Sequence, residues 1–159
     1  LQTQLAIALW RSSGDGQAAV AILNWVLSMD SGHPGARRAR GEILADLGDA
    51  SGAMLDLDHV AAGHPASRAA RGLALAELGD HTAAAEEVNG SLADARRSGP
   101  VLLYAARASE LAGDKVSARF RAQEALDAED PPLFRAHRQM ARELAGQRRG
   151  FADSYPRSS

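Results

Sequence analysis

The sequence predicts an all-α fold, a solenoid of about four helix–turn–helix repeats closed by a C-terminal capping helix. Three observations predict it. The 159 residues include 34 Ala but only 7 Phe, Trp and Tyr, a composition that favours helix and disfavours a β sandwich or barrel. The segment Gly32 to Asp49 returns 31 residues later as Gly63 to Asp80, with 12 of 18 positions identical. Gly-Asp pairs at 14–15, 48–49, 79–80 and 113–114 then punctuate the chain at steps of 34, 31 and 34 residues. Similarity at such a period marks tandem supersecondary units.

Residues 1–31 form the first unit and its least regular copy, with Trp10, Ala19, Leu23 and Val26 at the apolar positions. Residues 32–63 form the second. Ala39, Ile43, Leu44 and Leu47 share one helical face, and Ala53, Leu57 and Val60 share another beyond Gly48-Asp49. The spacing predicts two helices of three to four turns around a tight turn. Gly at 48, 79 and 113 suits a left-handed helix end, and the following Asp can accept from free N–H groups of the next helix. His33-Pro34 and His64-Pro65 close the preceding units, since Pro cannot continue a helix, and both His are read as turn or capping residues. The third and fourth units are residues 64–98 and 99–130.

Arg40 and Arg71 each precede a carboxylate, Asp56 or Glu87, by sixteen residues. Ala105 and Arg121 take the matching places in the fourth unit, so both charges change together. The pattern predicts bridges between the two helices of a unit, each worth roughly 0–1 kcal/mol if partly exposed.

Pro131-Pro132 opens a last helix, Leu133 to Leu144, with Phe134, His137, Met140, Ala141 and Leu144 on one side. Arg135, Arg138 and Arg142 give it the polar outer face that a terminal cap needs. Residues 1–146 are thus expected to be one repeat domain, with residues 131–146 its cap. Residues 147–159, rich in Gly, Ser and Arg, are read as a mobile tail that Phe151 or Tyr155 could dock.

On these residues the chain resembles the tetratricopeptide repeat family. The family's small residue inside the first helix is Gly41, Gly72 and Ala106 here. Its Ala early in the second helix, with a bulky residue four later, is Ala53 with Leu57 and Ala84 with Val88, then Ala118 with a reduced Ala122. Arg37, Arg68 and Leu102 replace the family's large aromatic, and the step from Gly41 to Gly72 is three residues shorter than that from Gly72 to Ala106. The resemblance implies a right-handed α-solenoid whose first helices line a concave, partner-binding wall. Carried over, the groove positions are Arg38, Glu42 and Asp46, then Ala69, Leu73 and Glu77, then Leu103, Tyr104, Arg107 and Glu110. Tyr104 is the best anchor there, with packing between units as its structural alternative. The family's carboxylate clamp uses Lys and Asn; neither stands at the matching positions, which argues against that ligand.

No catalytic constellation emerges. The chain has no Cys, which removes thiolate nucleophiles and thiolate metal sites. The five His form no metal-binding spacing, and no GxSxG or P-loop is present. The expected entity is a non-enzymatic scaffold that binds a protein or peptide, with no cofactor and no metal. Self-association, or service as the regulatory repeat region of a larger enzyme, is the alternative. Residues 131–159 carry a net charge of +4 and residues 1–130 one of −6. Without aromatics interleaved among the Arg, this asymmetry argues against nucleic acid. No apolar run suits a membrane. The absence of Cys fits a cytoplasmic setting, and a sequence that opens on Leu1 is read as an excised or processed piece.

Overall fold

The computed structural model describes residues 1–147. Its helices are α1 (Gln2–Ser13), α2 (Gly16–Met29), α3 (Pro34–Leu47), α4 (Ala50–Leu57), α5 (Pro65–Glu77), α6 (His81–Asp94), α7 (Gly99–Leu111), α8 (Lys115–Asp127) and α9 (Arg138–Leu144). The first eight pack as four antiparallel pairs, and each pair stacks on the next. Consecutive first helices approach one another, α1 with α3, α3 with α5 and α5 with α7, whereas consecutive second helices do not. The stack therefore curves, with the first helices on its concave side.

One turn chemistry builds all four pairs. Gly14, Gly48, Gly79 and Gly113 adopt φ between 76° and 88°, where a Cβ is costly. The next residue, Asp15, Asp49, Asp80 or Asp114, then caps the second helix by accepting from a backbone N–H three residues on. The turns between units differ more. His33 Nδ1 accepts from the Ala36 N–H at 3.0 Å, and Ser98 Oγ does the same for Val101. His64, read like His33 as a turn or capping residue, stands at the equivalent turn but makes no such side-chain bond.

Helix α4 has 8 residues where α2 and α6 have 14. The three residues missing from the second repeat are thus absorbed by an early helix end and a looser connection, rather than by the turn alone. The connection runs through hydrogen-bonded turns, with the Ala61 N–H donating to Leu57 O at 3.0 Å and the His64 N–H to Ala61 O at 3.1 Å.

The pairs close on small residues. A Cβ on Gly41 would lie 2.5 Å from Leu57 Cγ, and one on Gly72 would lie 2.9 Å from Val88 Cγ2. Beside these crossings sit the expected ion pairs. Arg40 donates from Nε and Nη2 to the two Asp56 oxygens at 2.6 and 2.8 Å. Arg71 reaches Glu87 at 3.4 Å and also Asp58 at 2.9 Å. In the fourth unit Arg121 donates to Ser109 Oγ at 2.9 Å instead.

The C-terminal segment departs from expectation. No helix starts at Leu133. Phe134 is extended (φ −63°, ψ 144°), a 3-10 turn covers Arg135–His137, and only then does α9 begin. The Gly99 N–H donates to Pro131 O at 2.9 Å, which anchors the segment at the start of α7. From there it crosses to α1, a distance that an extended chain spans more cheaply than a helix. The expected tail falls, apart from Gln147, outside the described residues, as do Phe151 and Tyr155. Among the described residues no helix is long and apolar enough to cross a membrane.

Leu57 is fully buried and cannot swing aside. Gly41→Ala should therefore destabilise the chain by about 1–3 kcal/mol through overpacking, despite the ~1 kcal/mol that Ala gains in helix propensity. A lower urea midpoint at an unchanged slope is the expected result.

Candidate partner-binding site on the concave face

Asp46, near the end of α3, is the polar centre of the concave face. Its Oδ2 accepts from Trp10 Nε1 of α1 at 2.7 Å and from His137 Nε2 at 2.9 Å. Its Oδ1 accepts from Arg107 Nη1 of α7 at 2.6 Å, and its backbone oxygen from Arg107 Nη2 at 2.9 Å. Around this centre the Trp10, Phe134 and His137 rings pack with centroids 5.2–5.6 Å apart. The Arg11 guanidinium lies over Phe134 at 4.3 Å. The concave face is thus partly occupied by the chain's own C-terminal segment.

Burial alone would raise the Asp46 pKa. Hydrogen bonding and charge from His137, the Arg107 charge and the Trp10 bond outweigh it and bring the group down to about 2. The opposite holds for Glu42 and Glu77, both pushed up by burial. Ser67 Oγ donates to Glu42 Oε1 at 2.7 Å and opposes the rise. For Glu77 the Arg107 charge opposes it, while Asp46 and Asp49 add to it.

Clefts open on this face among the described residues, and two of them hold residues named from the sequence. One, of about 300 Å³, lies between α1 and α3 and includes Arg11, His33, Arg38 and Glu42. The other, of about 410 Å³, lies among α5, α7 and α9; Leu73, Glu77, Arg107 and Glu110 share it with Leu111 and Met140. The groove residues named from the sequence are therefore split. Arg38 and Glu42 go to the first cleft, and Leu73, Glu77 and Arg107 to the second. Leu103 and Tyr104 line neither cleft. Leu103 is 2% exposed and packs with Leu133 and Ala141 under the cap. Tyr104 is 3% exposed and packs in the main core with Trp10. An anchor must meet solvent before it meets a partner, and Tyr104 takes the packing role instead.

Sequence reasoning placed Asp46 on the inner row but missed its partners. The signal was a His on the apolar side of the last helix, which needs a buried acceptor. The contributions of Glu143 and Leu144 on α9 to the second cleft depend on where that segment lies, which periodicity does not state.

Four stacked helix pairs with first helices inward define a paired-helix repeat solenoid, an architecture suited to protein–protein interaction. Its fold is that of a tetratricopeptide repeat protein. Over 92% of its length the chain is similar to the crystal structure of such a protein from Parabacteroides merdae, with a TM-score of 0.53 and 19% identity. The match spans 58% of that protein's chain. No model of a known protein family matches, and no curated protein matches either. Among the described residues no group of three or more His, Asp or Glu side chains is placed to hold a metal ion.

Two stability measurements test this site. The Tyr104 hydroxyl is buried without a hydrogen-bond partner among the described residues, a costly state. Tyr104→Phe should leave stability unchanged or raise it by up to ~1 kcal/mol, while Tyr104→Ala should cost about 3–5 kcal/mol. The second measurement is a pH series. Asp46 has a lowered folded pKa, so its contribution is complete above its ordinary value of 3.8 and is lost as pH falls through about 2. That contribution is about 2 kcal/mol. Glu42 and Glu77, with raised values, act in the opposite sense and at higher pH. Denaturation below pH 4 should show the loss in the native chain, and Asp46→Asn should remove that part of the slope.

Proposed function

We propose that the chain is a non-enzymatic adaptor that binds a segment of another protein in the cleft among α5, α7 and α9. The observation that carries the reading is the charged lining of this cleft, in which Glu77, Glu110 and Glu143 outnumber Arg107. Arg107 is committed to Asp46, so the cleft presents an excess of carboxylate over an apolar floor of Leu73, Leu111 and Met140. A Lys or Arg side chain complements both features. Its methylene stem covers apolar surface while its head meets the carboxylates. The partner segment is therefore one with a basic residue flanked by apolar ones. Arg38 and Glu42, in the other cleft, extend the same face toward α1.

Titration of the full chain with short acetylated peptides carrying one Arg between two Leu provides the test, with the Arg-to-citrulline peptide as the neutral isostere. The Arg peptide should bind at least about tenfold more tightly, and Glu77→Gln combined with Glu110→Gln should abolish that preference. Equal affinity for the two peptides would overturn the reading.

A further inference from the structure

The path from Leu133 to α9 is fastened by side chains. Leu133 itself is buried beside Leu103 and Ala141, and Ala141 holds α9 in the same cluster. Between these anchors Phe134, Arg135, Ala136 and His137 leave the cap and lie on α1 and α3. Among the described residues no backbone hydrogen bond joins these four to α1, α3 or α7. Two side chains hold them instead. The Phe134 ring meets Trp10 with centroids 5.6 Å apart, and His137 Nε2 bonds to Asp46 Oδ2 at 2.9 Å. Arg135, between them, is exposed.

A separate segment would be held on a groove wall in the same way. An aromatic ring fills an apolar seat, and a donor three residues on meets a carboxylate. The seat is built without the strap. Trp10 comes from α1 and Asp46 from α3, and Asp46 has further bonds from Trp10 Nε1, Arg107 Nη1 and Arg107 Nη2 that owe nothing to His137. The strap covers this seat incompletely, since Phe134 is only half-buried and the exposed Arg11 lies over its ring at 4.3 Å. Trp10 is 1% exposed, so a bare seat is costly and calls for a replacement cover. Exchange of one such segment for another conserves both the ring contact and the bond to Asp46. Only the difference between the two segments then opposes it.

We propose that residues 134–137 are an autoinhibitory strap over a second partner seat, formed by Trp10 and Asp46. The incoming occupant is a segment of another protein with an aromatic residue and, three positions on, a side chain that donates an N–H, the pattern of Phe134 and His137. Leu133 and Ala141 keep the cap on the stack while the four residues between them swing out. The strap lowers the apparent affinity of that segment by the fraction of time the seat is open. The seat is separate from the cleft among α5, α7 and α9, whose basic-residue preference rests on carboxylates that touch neither Trp10 nor the strap.

The probe is a fluorescent peptide carrying Phe-Gln-Ala-His between Gly-Ser flanks. Gln in place of Arg135 removes the basic residue that the carboxylate cleft would take. In anisotropy titrations of the full chain, the Phe134→Ala, His137→Ala variant should bind the peptide at least about tenfold more tightly than the native chain, with an unchanged far-ultraviolet circular dichroism spectrum. A peptide with Ala for both Phe and His should lose that binding. Should the double variant disturb the fold, His137→Ala alone should shift affinity in the same direction. Equal affinity of the native and opened chains overturns the proposal, and so does equal binding of the two peptides. Loss of the fold in both variants overturns it too, because the strap is then part of the core. Any of these failures leaves the comparison of Arg and citrulline peptides standing.

Discussion

Neighbouring helices in this chain approach so closely that the crossing positions have no room for a side chain. Gly41 against Leu57 and Gly72 against Val88 set that approach within pairs, and fully buried Ala36, Ala69, Ala74, Ala105 and Ala106 line the packed faces of the first helices. The Ala-rich composition follows directly. So does the scarcity of aromatics, because a ring at most of these positions would force the helices apart. The exceptions are telling: Trp10 and Tyr104 are buried at the first and fourth units, where the curved inner wall leaves volume to fill.

A solenoid of this kind is held by nearest-neighbour contacts, and its stability is nearly a sum of local contributions. Asp46 changes that. Its bonds to Arg107 and His137 span 61 and 91 residues of sequence, and the first skips a whole repeat. Opening any one pair from the stack now strains or breaks a buried, charge-assisted network, so the units are coupled more tightly than their seams alone would make them. A buried carboxylate stripped of one partner leaves an uncompensated charge. The network therefore acts as a specificity device as well as a clasp, since it is satisfied only when α1, α3, α7 and the C-terminal segment are all in place.

The repeat was legible because its causes are local. Gly-Asp turns and 3.6-residue periodicity are properties of a few neighbouring residues, and each copy reinforces the others. The Arg40–Asp56 bridge was legible for a related reason: a fixed turn fixes which residues of a pair face each other. The path of residues 131–137 was not. It depends on how far the stack curves, which is the accumulated result of every seam and is written at no single position. The same gap left Tyr104 open between two roles, anchor and packing. A residue at an inward helical position is a groove residue only if nothing fills the groove, and here the C-terminal segment and Trp10 do. The second cleft was half legible. Leu73, Glu77, Arg107 and Glu110 came from the family resemblance, while Met140, Glu143 and Leu144 are brought by α9.

The cleft among α5, α7 and α9 offers carboxylates, so binding there is weakened by salt through screening. Asp46 ties the units that form it to the first unit through Trp10 of α1 and Arg107 of α7. A rigid link transmits position without requiring that the cleft change shape, so a partner segment meets carboxylates already held in place and less of the binding energy goes into ordering them.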